Sequence, residues 1–264
     1  MFPLQRIGVD VWPIHTVQFS NHTGYGAWRG QVFEAGLIRE LVVGIEERGV
    51  LSECDGVLSG YMGSAAIAEA ILDAVAAVRR ANPAAHYCCD PVIGDVGRGV
   101  FVREGIPEFM RDKALPAADV VTPNQFELDF LSGRGSGTLK QALDAVRALR
   151  DAGPRAVLVT SLHTVETPED SVDLLAVDET GAFRVRTPKL PISVNGAGDA
   201  IAALFFAHYL RSGRVEEALR QAASAIFGVL DKTVEAGSRE IQLIAAQDEL
   251  VNPSRLFEPE AVSA

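Results

Sequence analysis

Short apolar runs alternate with longer amphipathic stretches along this chain. The short runs are typical of buried parallel strands, and the longer stretches carry apolar residues at spacings of three and four, as helices packed on a sheet do. This alternation predicts an α/β fold. The predicted strands are Val9–Val17, Asp55–Leu58, His86–Cys89, Asp119–Val121, Ala156–Val159, Asp173–Val177 and Ala182–Arg186. The predicted helices are Val32–Arg48, Ser64–Asn82, Leu139–Ala152, Asp199–Ser212, Val215–Ala236 and Ile241–Val251.

The start of the chain reads as the end of a helix. Met1–Gly8 carries apolar residues at Phe2, Leu4 and Ile7 and leads directly into the strand predicted at Val9. An α/β domain more often opens with a strand, so we expect an upstream strand and loop to be missing. The breaks between the later elements are short, and we expect residues 1–264 to form one domain.

Composition narrows the possible partners and the compartment. The 264 residues include 24 basic and 35 acidic side chains, and the net charge of −11 repels nucleic acid and anionic membranes. No apolar run approaches the roughly 20 residues that span a bilayer. Cys54, Cys88 and Cys89 lack the spacing of a disulfide framework or a zinc site, so we expect a cytoplasmic protein. We expect Cys88 and Cys89 to be buried on opposite faces of one strand.

A glycine-rich turn, Asn195–Asp199, precedes an apolar helix. Its two glycines, Gly196 and Gly198, allow a tight turn, and the free N–H groups of the following helix favour an anion. Asp199 in that first turn could take a proton from a hydroxyl while those N–H groups stabilise a transferring phosphoryl group. Alternatively, Asp199 only favours the helix N-terminus and the glycines only form a loop.

Polar residues also follow two other predicted strands. Asp90 and Asp95 come after His86–Cys89, and carboxylate oxygens suit Mg²⁺ and monovalent cations. Asn124 and Glu127 come after Asp119–Val121, where an amide could bind a phosphate and a carboxylate could hold a metal-bound water. Equally, the Pro-Asn pair that ends in Asn124 could simply start a helix.

Five segments, taken in order and at their separations, resemble the pyridoxal kinase family of the ribokinase-like superfamily. They are Ser20–Gly26, Ser59–Tyr61, Asp90–Asp95, Thr122–Glu127 and Asn195–Asp199, and the similarity runs through nearly the whole chain. The resemblance implies a ribokinase-like three-layer α/β/α sandwich with a mostly parallel central sheet. It also implies a homodimer that transfers the γ-phosphate of ATP to the 5′-hydroxyl of pyridoxal, giving pyridoxal 5′-phosphate.

The resemblance assigns a role to each site residue. Asp199 would be the catalytic base, with Gly196, Ala197 and Gly198 around the phosphoryl group. Substrate contacts would come from Thr23, Gly24, Tyr61 and Asp199. The ATP site would comprise Asp90, Thr122, Asn124, Glu127, Thr160, Ser161, Thr187, Pro188, Lys189 and Leu190. Mg²⁺ would lie close to Asp95 and Glu127, and K⁺ or Na⁺ close to Asp90 and Thr160.

Some of these residues also have structural explanations. Tyr61 could be a core or rim aromatic, Thr160 and Ser161 could form a strand end and turn, and Lys189 could be a solvated loop charge. The family also starts with a strand and a loop that carries a serine contacting the pyridine ring, and this chain has neither. We therefore expect the chain as given to be unstable or only feebly active.

Two other functions remain open at this point. A kinase for hydroxymethylpyrimidine or another small alcohol would use the same glycine turn. A non-catalytic vitamer-binding protein would bind pyridoxal or its phosphate without consuming ATP.

Overall fold

A seven-stranded sheet lies at the centre of the computed structural model, which describes residues 1–263. Across those residues the strands are β1 (Val17–Phe19), β2 (Gly30–Val32), β3 (Gly56–Ser59), β4 (His86–Cys89), β5 (Gly94–Asp95), β6 (Gly99–Val100), β7 (Val120–Val121), β8 (Ala156–Leu162), β9 (Ser171–Asp178), β10 (Gly181–Pro188) and β11 (Glu260–Val262). The sheet order is β11-β10-β9-β8-β7-β4-β3. Neighbours from β3 to β8 are parallel, whereas β9, β10 and β11 add in antiparallel fashion.

Helices cover both faces of this sheet. In the same described residues they are α1 (Phe2–Arg6), α2 (Ala35–Glu47), α3 (Ala65–Ala81), α4 (Ile106–Phe109), α5 (Leu115–Ala117), α6 (Gln125–Ser132), α7 (Leu139–Ala152), α8 (Ala197–Ser212) and α9 (Val215–Glu235). A π-helical turn, Met110–Ala114, joins α4 to α5. Within residues 1–263, none of these helices is both long enough and apolar enough to cross a membrane.

The sheet separates two apolar cores. One contains side chains of α3, α6 and α7 packed on residues such as Cys89 and Val121. The other contains side chains of α8 and α9 packed on residues such as Cys88 and Val120. Successive strand residues thus point to opposite faces, which confirms the prediction that Cys88 and Cys89 are buried on opposite sides. The predicted three-layer α/β/α sandwich is likewise confirmed.

Two of the predicted elements are wrong. The strand predicted at Val9–Val17 has no regular secondary structure before Val17, where the small β1–β2 hairpin begins. Pro13 removes a backbone N–H from its middle, which disfavours a ladder there. The helix predicted at Ile241–Val251 is a series of turns with one 3₁₀ turn at Gln247–Leu250. The first residues do form a helix, α1, which packs against α8.

The β1–β2 hairpin lies against the start of α3. A Cβ added to Gly63 would lie 2.3 Å from Cγ1 of Val32 and 3.3 Å from Cγ1 of Val17, so only glycine leaves room for the hairpin. The hydroxyl of Thr16 also donates to the carbonyl of Tyr61 at 2.9 Å. The segment between β1 and β2 is therefore carried on the same side of the molecule as the end of β3.

Candidate active site

The carboxyl ends of the parallel strands bring most of the predicted site segments to one edge of the sheet. The N–H of Asp90, just after β4, donates to the carbonyl of Ser59 at 2.9 Å. On the other side of β4, the N–H of Thr122 donates to the carbonyl of Cys89 at 3.2 Å, and that of Thr160 donates to Pro123 at 2.9 Å. Ligands of open α/β sheets bind at such an edge.

The end of β10 reaches the same edge. Because β8, β9 and β10 are successively antiparallel, β10 runs in the direction of β8, and its last residues, Thr187 and Pro188, pair with the first residues of β9. Thr187 is buried, whereas Pro188 and Lys189 are exposed and Leu190 is half-buried against the second core. The N–H of Lys189 donates to the carbonyl of Asp170 at 2.7 Å, which fixes this loop.

Asp199 lies in the first turn of α8. Gly196 precedes the helix with φ of 88°, in the left-handed region that favours glycine, and its carbonyl accepts the first helical bond from Ala200 at 3.0 Å. Helix geometry leaves the N–H groups of residues 197–199 without a partner inside the helix. The Asp199 carboxylate is exposed beside these donors. This turn has the polarity of an anion site with a base at its rim.

The start of α8 meets the end of β3. A Cβ added to Gly60 would lie 3.8 Å from Oδ1 of Asp199, so the backbone between Ser59 and Tyr61 runs directly past the carboxylate. Tyr61 itself is half-buried, and its carbonyl is fixed by Thr16. The glycine turn and the Ser59–Tyr61 segment, which are distant in sequence, thus form one site.

Asp90 is the buried carboxylate at the centre of this edge. It is 9% exposed, and the Thr122 hydroxyl donates to its Oδ1 at 3.0 Å. Burial, followed by the negative charges of Glu127 and Asp199, raises its pKa well above the usual range. These carboxylates are therefore close enough to repel one another.

Glu127 is bound by backbone donors on both of its oxygens. Oε1 accepts from the N–H of Ile93 at 2.7 Å and more weakly from Gly94 at 3.4 Å, while Oε2 accepts from Asn124 at 2.9 Å. The Asn124 side chain in turn accepts from the N–H of Glu127 at 3.0 Å, which completes a capping box for α6. Burial nevertheless raises the pKa of Glu127, against the lowering effect of those N–H groups.

The alternative that Pro123 and Asn124 start a helix is therefore confirmed, although α6 was not among the predicted helices. The side-chain Nδ2 of Asn124 also donates to the carbonyl of Gly94 at 2.8 Å. Asp95, in β5, is exposed and accepts from the N–H of Val96 at 2.7 Å. Its charge contributes to the raised pKa of Glu127, so the two carboxylates are neighbours. Across residues 1–263, no group of three or more acidic, histidine or cysteine side chains forms a metal cluster.

Thr160 and Ser161 lie where β8 becomes irregular. The pairing of β8 with β9 shifts between Val159 and Leu162, and Ser161 has φ of 51°, which is uncommon for a residue with a Cβ. Such outliers concentrate at ligand sites. His163, which no motif in the sequence marks as a site residue, follows directly. Burial first, and then the nearby Lys189 charge, lower its pKa.

The segment with Thr23 and Gly24 also reaches the glycine turn. Thr23–Tyr25 forms an exposed 3₁₀ turn capped by Nδ1 of His22, which accepts from the N–H of Gly24 at 3.0 Å. A Cβ added to Gly24 would lie 3.2 Å from Oδ1 of Asn195. The turn thus lies over Asn195, the first residue of the glycine-rich segment.

Tyr25 ties this turn to a distant loop. Its hydroxyl donates to Oε1 of Glu240 at 2.7 Å, and that hydrogen bond raises the pKa of Tyr25. The two residues are 215 positions apart, so no local sequence pattern could have paired them.

Comparison with known proteins gives the family of this chain. The family model described as phosphomethylpyrimidine kinase matches residues 49–243. Pyridoxal kinase PdxY of Granulibacter bethesdensis is 57% identical over 97% of this chain and 91% of its own length. The corresponding enzyme of Deinococcus radiodurans is 56% identical over 99% of this chain and 90% of its own length.

A solved pyridoxal kinase structure has the same fold as this chain. Pyridoxal kinase of Leishmania donovani, in complex with ADP and pyridoxamine, superimposes with a TM-score of 0.90 at 29% identity, covering 99% of this chain and 92% of that one. The match spans both the parallel strands and the antiparallel end of the sheet. This chain therefore belongs to the phosphomethylpyrimidine kinase family and, within it, to the pyridoxal kinases.

Proposed function

We propose that this protein transfers the γ-phosphoryl group of ATP to the 5′-hydroxyl of pyridoxal. The identity of 57% and 56% to two pyridoxal kinases over nearly the whole chain supports this substrate. The Leishmania donovani relative was solved with ADP and a vitamer of the same ring, which supports a shared site for nucleotide and alcohol.

The observation that carries the proposal is the position of Asp199. It stands at the free N-terminus of α8, beside the backbone at Gly60, in a site that also contains the strand-end residues. In this position the carboxylate accepts the proton of the attacking hydroxyl, and the N–H groups of Ala197 and Gly198 stabilise negative charge on the transferring phosphoryl group. Catalysis rests mainly on positioning and electrostatics, as phosphoryl transfer requires.

The substrate and nucleotide sides follow from the two directions in which the site extends. Thr23, Gly24 and Tyr61 lie on the side of the β1–β2 segment and hold the vitamer. The nucleotide lies along the strand ends from β4 to β10. Its contacts are Asp90, Thr122, Asn124, Glu127, Thr160, Ser161, Thr187, Pro188, Lys189 and Leu190.

The carboxylates at this edge fit a bound cation. Asp90 is buried among Glu127 and Asp199, whose negative charges raise its pKa, and a cation would relieve that repulsion. Mg²⁺ would be held close to Asp95 and Glu127, and K⁺ or Na⁺ close to Asp90 and Thr160. Since backbone N–H groups occupy both oxygens of Glu127, we place its contact with Mg²⁺ through water. When bound, Mg²⁺ neutralises phosphate charge.

We also propose that residues 1–264 act as one domain, in a homodimer in the cytoplasm. The resemblance to pyridoxal kinases supports the dimer, and the free thiols of Cys54, Cys88 and Cys89 are typical of a reducing compartment. Light scattering coupled to gel filtration measures the dimer directly. A mass of one chain at micromolar concentration would contradict it.

A coupled ADP-release assay tests the proposed function. We expect ATP consumption that depends on pyridoxal, with smaller or comparable rates for pyridoxine and pyridoxamine. The family model favours hydroxymethylpyrimidine as a second candidate, so that alcohol belongs in the same assay. ADP release with hydroxymethylpyrimidine alone would replace the proposed substrate, and pyridoxal binding without any ADP release would indicate a vitamer-binding protein.

A further inference from the structure

Tyr25 and Glu240 join two parts of the chain that both touch the glycine turn. The hydroxyl of Tyr25 donates to Oε1 of Glu240 at 2.7 Å and lies 3.4 Å from the carbonyl of Arg239. Both side chains lie on the surface, so the pair adds little to core packing. We therefore consider the two segments that this hydrogen bond joins.

The loop that carries Glu240 is held firmly. The Ser238 hydroxyl accepts from the N–H of Glu240 at 3.0 Å and donates to the carbonyl of Glu240 at 2.9 Å. The Thr233 hydroxyl, buried in α9, accepts from the N–H of Gln242 at 3.0 Å. Loop 237–242 is thus a fixed support anchored on α9.

The same support touches the anion site. Cγ2 of Ile241 lies 3.9 Å from the position that a Cβ on Gly196 would occupy. The turn that contains Tyr25 also places Gly24 next to Oδ1 of Asn195, the first residue of the glycine turn. Loop 237–242 and the segment His22–Tyr25 therefore both contact the Asn195–Gly196 part of the glycine turn.

The segment His22–Tyr25 depends on this contact at its tip. Its base is tied by the β1–β2 pairing and by the N–H of Ser20, which donates to the carbonyl of Arg29 at 2.7 Å. At the tip, the segment is an exposed 3₁₀ turn whose own bonds are local. An exposed turn held only locally opens at low free-energy cost, so a long-range bond at the tip governs whether it stays closed.

We propose that Tyr25 and Glu240 are positioning residues that latch the segment His22–Tyr25 over the glycine turn and so hold the vitamer in front of Asp199. This inference rests on the proposed function, because Thr23 and Gly24 in that segment supply its vitamer contacts. The proposed contacts to ATP lie along the strand ends, and of the nucleotide only the transferring phosphoryl group reaches the glycine turn below the latch. Loss of the latch therefore weakens the hold on pyridoxal and leaves the hold on ATP unchanged.

Steady-state kinetics of the full chain with pyridoxal and ATP separates the two substrates. Tyr25→Phe and Glu240→Ala should each raise the KM for pyridoxal by about fivefold, the size of one exposed hydrogen bond, with the KM for ATP unchanged. Glu240→Gln keeps an acceptor oxygen and should restore a KM near the wild-type value. The double variant should match Tyr25→Phe, since that substitution already removes the bond to Glu240.

Glu235→Ala is the matched control. It removes an exposed carboxylate at the end of α9 that pairs only with Lys232 among its described contacts, and it should leave both KM values unchanged. Melting temperatures of all the variants should stay close to wild type. A KM for ATP that rises in parallel with that for pyridoxal would indicate a general structural role and would overturn the latch.

Hydrogen–deuterium exchange of the peptide covering residues 20–29 measures how often this segment opens in the absence of substrate. We expect faster exchange in Tyr25→Phe and Glu240→Ala than in wild type and Glu235→Ala. Unchanged exchange together with an unchanged KM for pyridoxal refutes the inference. If the wild-type protein does not phosphorylate pyridoxal, the proposed function fails, and faster exchange in the two latch variants still supports the closing contact.

Discussion

Replacing the buried carboxylate Asp90 with asparagine should stabilise the protein in the absence of cations. The Asp90 side chain is buried beside Glu127 and Asp199, and its only described hydrogen bond comes from the Thr122 hydroxyl. The amide introduced by Asp90→Asn keeps the shape of the side chain and an oxygen that accepts from Thr122. The variant removes a charge that burial and two like charges disfavour.

We expect the free energy of unfolding to increase by about 1–2 kcal/mol at neutral pH, which is typical of removing an unfavourable charge from a functional site. For a chain of this size this increase raises the melting temperature by about 3–6 °C. The pKa of Asp90 in the folded protein is raised well above its ordinary value of 3.8. Its penalty is therefore complete above the folded-state pKa and disappears as the pH falls below the ordinary value of 3.8, where the carboxyl is protonated in both states. The advantage of asparagine should shrink on acidification.

Thermal unfolding followed by circular dichroism measures this effect. The buffer is a Tris salt with EDTA, because Mg²⁺, K⁺ or Na⁺ would offset the repulsion at Asp90. Asp173→Asn is the matched control, since Asp173 is also a buried aspartate at this sheet edge but accepts from Arg186 at 2.7 and 2.8 Å. Breaking that ion pair should destabilise the protein by about 2–4 kcal/mol. A lower melting temperature for Asp90→Asn at neutral pH, or an advantage that does not change with pH, would refute the reasoning.

Two further substitutions test the local structure of the site. Glu127→Ala deprives the buried N–H groups of Ile93 and Asn124 of their acceptor, and we expect a loss of about 3 kcal/mol in the free energy of unfolding, measured by urea denaturation; an unchanged midpoint would contradict it. Gly196→Ala forces a Cβ into φ of 88° and should cost about 1–2 kcal/mol as well as turnover. Gly198→Ala, at an ordinary φ and with no atom within 4 Å, should leave the melting temperature unchanged, and equal losses in both variants would rule out backbone strain as the cause.

Periodicity predicted the core elements well because their burial is set by local pattern. The strand predicted at His86–Cys89 is β4 with the same bounds, and the helix predicted at Asp199–Ser212 is α8, which begins two residues earlier at Ala197. In both elements most of the buried positions carry apolar side chains. The site at the carboxyl edge followed from the fold, since parallel strands place their ends together.

Elements that depend on distant partners were missed or misplaced. Strand β11 pairs with β10 through Ala182 and Val262, and three residues near the C-terminus carry no pattern that predicts it. The strand predicted at Val9–Val17 is rich in apolar residues but has no ladder partner before Val17. The hydrophobic pattern predicts which face of an element is buried, but it does not predict which strand that element pairs with.

In the site, too, contacts between residues close in sequence were predictable and contacts between distant residues were not. Asn124 and Glu127 form a capping box, which their spacing of three positions indicates in the sequence. Both are also among the predicted nucleotide residues. The contact of Tyr25 with Glu240 has no such signal, because Glu240 lies in a loop that only the packing of α9 brings near Asn195. Residues that act through long-range contacts have to be found in the structure.

The catalytic role of Asp199 is tested most directly by comparing Asp199→Asn with wild type in two measurements on the same preparation. We expect pyridoxal-dependent ADP release to fall by a factor on the order of 10²–10⁴, because asparagine cannot accept the proton of the hydroxyl. ADP binding, measured by calorimetry, should be nearly unchanged, since the nucleotide contacts lie at the strand ends. Wild-type turnover in Asp199→Asn would contradict the assignment of Asp199 as the base.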